Sequence, residues 1–117
     1  MLLIEVEIWG PRASDNFLFL LDTGSSRTIV DPAVVDNLGY SPRMGRNFSF
    51  LAGLGGIREG YELDVMRLRM MGFELVSCPV LCHEIETSFG FDGLIGMDLL
   101  ESHVVKLDGP NGWIEVD

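Results

Sequence analysis

The chain has 117 residues, 47% of them hydrophobic, and its 18 acidic and 8 basic side chains give a formal net charge of −10. This length suits one domain, so residues 1–117 are predicted to fold as a single unit with a real core. The hydrophobic share fits a packed globule and argues against a disordered chain. The excess of negative charge argues against nucleic acid as a partner, because it would repel phosphate groups.

Short apolar runs separated by turn residues predict an all-β domain. Residues 2–8 alternate apolar and acidic side chains, which is typical of a strand with one wet face. A polar turn is expected over residues 10–16. Residues 17–21 are continuously apolar and predict a strand that is buried on both faces. Residues 28–30 predict a further short strand.

The middle of the chain predicts a short helix and a hairpin. Asp31 can cap a helix that starts at Pro32, and Gly39 can end that helix. A strand over residues 47–52 then leads to a glycine-rich hairpin tip at residues 53–56.

A long strand is expected to return over residues 57–70, and another strand to follow over residues 73–82 after a tight turn. Met66, Leu68 and Met70 alternate with arginines in the first of these strands. This alternation predicts that the three apolar side chains face the core.

The last part of the chain predicts one or two helical turns over residues 97–103 and two strands over residues 104–107 and 113–116. No apolar run reaches the roughly 20 residues of a membrane span, and the first residues lack the pattern of a signal peptide.

Cys78 and Cys82 are predicted to be buried free thiols on one face of a strand, where a disulfide would be badly placed. Free thiols weakly favour the cytoplasm as the compartment. His83 is adjacent, but a zinc site would need further ligands, so neither a metal nor another cofactor is predicted.

The chemically informative segment is Asp22-Thr23-Gly24-Ser25, which directly follows five apolar residues. A carboxylate in this position is expected to be partly buried, and chains rarely keep such a group without a reason. Gly24 permits a sharp turn and lets backbone N–H groups approach the carboxylate. The hydroxyls of Thr23 and Ser25 can orient the carboxylate by hydrogen bonding.

The order of three features resembles the retropepsin-like aspartic proteases. Two apolar residues before Asp22-Thr23-Gly24-Ser25 look like the active-site turn of this family, and Gly93-Leu94-Ile95-Gly96 is similar to its later apolar pair and glycine. The glycine-rich hairpin near residues 50–60 lies where the family carries its flap. The resemblance covers most of the chain and implies an all-β, single-lobe closed barrel with a flap hairpin and one or two short helices.

The chain has one Asp-Thr-Gly turn and the length of a single lobe, so the resemblance implies a homodimer. Such a dimer would be an aspartic endopeptidase that hydrolyses peptide or protein substrates with a water activated between two Asp22 carboxylates. Thr23 would hydrogen-bond across the dimer and the Gly24 N–H would donate to the carboxylate pair. Ser25 would bond the outer carboxylate oxygen.

The resemblance also implies two supporting sets of residues. The first set would buttress the active-site turn, and it consists of Leu94, Ile95 and Gly96. The second set would form the substrate-covering flap, and it consists of Ala52, Gly53, Leu54, Gly55 and Gly56.

Other interpretations of the same residues stay open. The protein could be a dimerisation or peptide-binding module of this fold with weak or no cleavage, or a monomeric structural domain. Asp22 could be a simple turn residue. A serine hydrolase built from Ser25 or Ser26 with His83 or His103 lacks the nucleophile-elbow spacing. Asp92 and Asp98 are expected to have turn or capping roles.

Overall fold

The computed structural model describes residues 2–53, 56–85, 90–101, 105–108 and 113–116. Within these ranges the chain forms nine strands, two short helices and a 3₁₀ turn. The strands are β1 Leu3–Trp9, β2 Ser14–Leu21, β3 Ile29–Val30, β4 Arg46–Gly53, β5 Gly56–Met70, β6 Phe73–Cys82, β7 Gly93–Ile95, β8 Val105–Asp108 and β9 Trp113–Val116. The helices are α1 Pro32–Asn37 and α2 Met97–Leu100, and the 3₁₀ turn is Pro42–Met44.

Six of these strands close into a barrel. The seven-stranded sheet has the order β1-β2-β7-β3-β6-β5-β4, and an additional β1–β5 pairing joins its two sides. Strand β4 therefore lies outside the closed ring, where it pairs with β5 as a hairpin. This architecture confirms the predicted all-β closed barrel with two short helices.

Strand β7 lies between β2 and β3, although about 60 residues separate it from β3 in the chain. It pairs in parallel with β2 and antiparallel with β3. Leu94, at its centre, is the Cα partner of both Leu20 and Ile29. The end of β7 is thereby placed beside the residue that follows β2, which is Asp22.

The barrel interior is filled by the inward-facing side chains that strand alternation predicts. Ile4, Val6 and Ile8 of β1 are buried while Glu5 between them is exposed. Helix α1 covers part of this core with buried residues of its own. The largest fully buried side chains are Phe19, Ile8, Leu38, Leu63, Leu68, Met70, Ile95, Leu100, Val6, Val30, Val35 and Val65.

Strand β2 differs from its prediction in the exposure of one face and in where it starts. It begins at Ser14, whereas a turn was expected as far as residue 16, because Ser14 pairs with Trp9 and continues the β1–β2 ladder. Leu18 is 40% exposed, so the strand is not buried on both faces. Its continuous apolar run supplies the core with alternate residues and leaves the others on the outside.

The predicted core stripe on β5 is only partly right. Leu68 and Met70 are buried, but Met66 is 46% exposed. The reason is a change of face along the strand, since Val65 and Leu68 are both buried although they are three residues apart. The change coincides with Ser77 on β6, which has a φ of +49° and interrupts the regular ladder.

Helix α1 and the β4–β5 hairpin confirm their predictions. The Asp31 side chain accepts a hydrogen bond from the Ala33 N–H at 2.9 Å, and Gly39 has a φ of +100° just after the helix. Gly53 and Gly56 pair as the last rungs of the hairpin. Its predicted tip residues 54 and 55 lie outside the described residues.

The last elements agree with the sequence where they are described. Strands β8 and β9 pair with each other as a separate two-stranded sheet. Helix α2 ends at Leu100, and residues 102 and 103 of the predicted helical turns lie outside the described part. No helix within the described ranges is long and apolar enough to cross a bilayer.

Both cysteines are free and buried, as predicted. Burial is the main cause that raises the pKa of Cys78 to about 12, and the nearby Asp98 carboxylate adds to it. Burial likewise raises the pKa of Cys82 to about 12, against a smaller opposing effect of a hydrogen bond with Tyr61. The thiols are therefore core residues with little nucleophilic character.

This burial predicts the reactivity of the thiols. At about pH 8 a thiol-specific reagent should leave both cysteines of the folded protein unmodified, whereas both should react in guanidinium chloride, where the pKa of a thiol returns to about 8.5. Mass spectrometry of the modified protein measures the outcome. Rapid modification of the folded protein would contradict the burial of Cys78 and Cys82.

Candidate active site

The turn after β2 is fixed by backbone hydrogen bonds around Asp22. The Asp22 N–H donates to the Ile95 carbonyl at 2.9 Å, and the Ser25 N–H donates to the Asp22 carbonyl at 3.1 Å. The Gly24 N–H donates to Oδ1 of the Asp22 carboxylate at 3.1 Å. Asp22 is half-buried, and Thr23 and Gly24 are exposed. The carboxylate therefore lies at the barrel surface in a defined orientation.

The segment from β7 to α2 holds the other end of the turn. The Met97 N–H donates to the Ser25 carbonyl at 2.8 Å. Together with the bond from the Asp22 N–H to Ile95, it clamps the turn at two points. Leu94 is half-buried, and Ile95 and Gly96 are buried against the turn.

Two glycines allow this close packing. A Cβ at Gly96 would lie 2.5 Å from the Arg27 carbonyl oxygen, and a Cβ at Gly93 would lie 2.4 Å from that of Ile29. Real Cβ atoms do not approach backbone so closely, and backbone cannot move aside as a side-chain end can. Glycine at both positions is thus what lets β7 lie between β2 and β3.

The bonding of Asp22 contrasts with that of Asp98. An ionised carboxylate offers about four acceptor sites. Asp98 accepts three hydrogen bonds, from the Thr28 N–H, the Thr28 hydroxyl and the Leu99 N–H. Asp22 accepts one, from Gly24, within the part of the chain that the structure describes. The Asp22 carboxylate is oriented by its own turn and retains acceptor sites for other groups.

The comparison with protein families agrees with the resemblance found in the sequence. A family profile described as aspartyl protease matches residues 4–99, which include the Asp22 turn, the β4–β5 hairpin and β7. The chain belongs to the aspartyl protease family. No curated protein matches it in sequence.

Among solved structures, the protein is similar to the retroviral protease-like domain of Ddi1 from Leishmania major. The two superpose with a TM-score of 0.68 and share 18% sequence identity, over 100% of this chain and 88% of the other. At this identity the likeness shows the fold, which is retropepsin-like.

In this member of the aspartyl protease family, the turn differs from the prediction at Ser25. Its hydroxyl was expected to bond the outer oxygen of the Asp22 carboxylate. In the structure Ser25 Oγ donates to the Arg27 carbonyl at 2.9 Å. The Ser25 hydroxyl therefore closes a backbone turn over residues 25–27. The Ser25 carbonyl separately accepts the hydrogen bond from the Met97 N–H.

Sequence reasoning missed an ionic link between the turn and the hairpin. Arg27, which follows the turn, lies 3.4 Å from a Glu62 carboxylate oxygen on β5. Glu62 also accepts from Asn47 at 3.2 Å and lies 3.5 Å from Arg46, and both of these belong to β4. The pairing partners are far apart in sequence, and no local pattern marks them.

The tight fit of Gly96 predicts a large effect of one methyl group. The Gly96→Ala substitution should lower the free energy of unfolding by about 3 kcal/mol, near the upper end of overpacking costs, because the clash is with backbone. Urea unfolding monitored by circular dichroism measures it. The exposed Ser26→Ala change serves as control and should stay within about 0.5 kcal/mol. Equal midpoints for the two variants would contradict the described packing of β7.

Proposed function

We propose that this protein is an aspartic endopeptidase that works as a homodimer, with Asp22 as its catalytic residue. The observation that carries the proposal is the position and the hydrogen bonding of the Asp22 carboxylate. It is held at the barrel surface by its own turn and accepts a single intrachain hydrogen bond among the described residues. Family membership supports the reaction class.

The proposed mechanism needs two Asp22 carboxylates. Two carboxylates about 3 Å apart cannot easily both ionise, so the pair binds one proton, for which aspartic proteases are the reference case. The ionised Asp22 would take a proton from a water, and that water would attack the scissile carbonyl. The protonated Asp22 of the second subunit would give its proton to the carbonyl oxygen, so that the tetrahedral intermediate is a gem-diol. The C–N bond would then break as the first Asp22 passes the water's proton to the leaving nitrogen and one hydroxyl of the diol returns a proton to the second Asp22.

The other residues of the turn would support this pair. Thr23, which is exposed, would hydrogen-bond to the facing loop of a second subunit, and the Gly24 N–H already donates to the carboxylate. Leu94, Ile95 and Gly96 would keep the turn in place from behind. The β4–β5 hairpin, with Ala52, Gly53 and Gly56 in its strands and Leu54 and Gly55 between them, would cover an extended peptide.

Exposed apolar side chains near the turn support a dimer at this face. Met97, whose N–H is bonded to the turn, is 38% exposed. Leu3 is also 38% exposed and lies at the end of β1 that adjoins the turn, since the Leu21 N–H donates to the Leu2 carbonyl at 2.9 Å. A second copy of the chain would bury these apolar groups and bring the two Asp22 residues together.

The proposal predicts the effect of Asp22→Asn. This substitution should reduce the release of peptides from denatured casein at mildly acid pH by at least about 100-fold, because an amide cannot accept the water's proton. The dimer measured by sedimentation should persist, which shows that the loss is chemical.

Two results would contradict the proposal. Undiminished cleavage by Asp22→Asn would exclude Asp22 as the acid–base residue. Absence of cleavage by the unaltered protein from about pH 3 to pH 8, with dimers confirmed, would favour the peptide-binding module instead.

The proposed dimer face predicts a second result. Met97→Glu should raise the dimer dissociation constant at least about tenfold, because an unpaired charge would be buried in the interface. Sedimentation equilibrium measures this against the monomer mass of 13.0 kDa. The matched control is Val76→Glu, since Val76 is 71% exposed on β6. Equal dissociation constants for the two variants would place the interface elsewhere.

A further inference from the structure

A wholly buried hydroxyl lies behind the candidate active-site turn. Thr28 is 0% exposed. Its Oγ1 accepts a hydrogen bond from the Gly96 N–H at 3.0 Å and donates one to Asp98 Oδ1 at 2.8 Å. Its N–H donates to Asp98 Oδ2 at 3.0 Å. The side chain thus joins the Gly96 N–H to the Asp98 carboxylate at the point where the turn meets β3.

Asp98 is held in place from its own side. Its Oδ1 also accepts the Leu99 N–H at 2.9 Å, at the start of α2. Its Oδ2 lies 3.9 Å from Nε of Arg27. Thr28 and Asp98 are 70 residues apart in sequence, so these bonds fasten two distant segments to each other.

These bonds determine where the turn lies relative to the barrel. One segment runs from Asp22 to Thr28, and the other runs from Ile95 to Asp98. Backbone bonds join them at the Asp22 end, and the Thr28 hydroxyl joins them at the other end. Without that hydroxyl the Gly96 N–H would be buried and unpaired, which the segment would relieve by moving.

We propose that Thr28 and Asp98 are positioning residues for Asp22. This inference rests on the proposed function, in which two copies of Asp22 must meet. A misplacement of about 1 Å in reacting groups can lower a rate about 100-fold. In a symmetric dimer, a shift of the turn would displace both Asp22 carboxylates. The distance between the two carboxylates could then change by the sum of both displacements.

Tyr40 provides a matched control. Its buried hydroxyl, like that of Thr28, donates one hydrogen bond and accepts one: it donates to the Trp9 carbonyl at 2.6 Å and accepts from the Met66 N–H at 2.9 Å. Trp9 lies at the end of β1 opposite to Leu3, about 20 Å from the turn by strand geometry. Tyr40→Phe therefore removes a comparable pair of bonds far from Asp22.

The test compares three variants in peptide cleavage. Thr28→Val keeps the side-chain shape and lacks the hydroxyl, and it should lower kcat about 10- to 100-fold with KM within about twofold of the unaltered protein. Thr28→Ser restores the hydroxyl and should recover kcat to within about threefold. Tyr40→Phe should leave kcat within about twofold, although its stability falls in a similar way. Equal kcat values for Thr28→Val and Tyr40→Phe would overturn the proposal.

A second readout does not depend on catalysis. The backbone order parameters of Thr23 and Gly24, measured by ¹⁵N relaxation, should fall from about 0.85 to below about 0.7 in Thr28→Val and stay high in Tyr40→Phe. If the unaltered protein cleaves no peptide, the proposed function fails, and these order parameters alone decide the positioning role. Unchanged values in Thr28→Val would then contradict it.

Discussion

The structure depends on the insertion of β7 between β2 and β3. This short strand of three residues pairs with both neighbours and completes the closed ring of six strands. Its insertion requires glycine at Gly93 and Gly96, because the neighbouring backbones leave no room for a Cβ. The same insertion carries Ile95 to the Asp22 N–H and Met97 to the Ser25 carbonyl. The pairing that closes the barrel therefore also fixes the geometry of the turn.

As a consequence, Asp22 and Asp98 differ in how their carboxylates are hydrogen-bonded. Asp98 accepts three hydrogen bonds from described residues, two of them from Thr28 in a distant segment of the chain. Among the described residues, Asp22 accepts one hydrogen bond, from Gly24, and it lies at the surface. One carboxylate fastens two segments of the fold, and the other keeps acceptor sites for the water and the second Asp22 of the proposed mechanism. This availability fits the aspartyl protease family, to which the chain belongs.

Much of the fold was predictable because local sequence patterns determine it. Alternation marked β1, capping residues marked α1, and the motif around Asp22 together with Gly93-Leu94-Ile95-Gly96 indicated the family. The described strands follow the predicted order. The single-domain prediction for residues 1–117 and the roles of the site residues stay predictions.

What sequence reasoning missed depends on contacts between distant segments. Nothing next to Thr28 reveals that its partner is Asp98, since the two residues are 70 positions apart in sequence and the pairing of β3 with β7 brings them together. Met66 fits a core alternation, and only the change of face near Ser77 exposes it. The Ser25 hydroxyl donates to the Arg27 carbonyl, an acceptor that reasoning from the local motif did not consider.

In the proposed enzyme, two chains bring their Asp22 carboxylates together into one acid pair. A crystal structure of the assembled protein would measure the distance between the nearest Asp22 carboxylate oxygens of different subunits. We expect this distance to be about 3 Å across a two-fold axis. Dimers in which every pair of Asp22 carboxylates is separated by more than about 10 Å would contradict the proposed acid pair, because groups so far apart could share neither a proton nor a water.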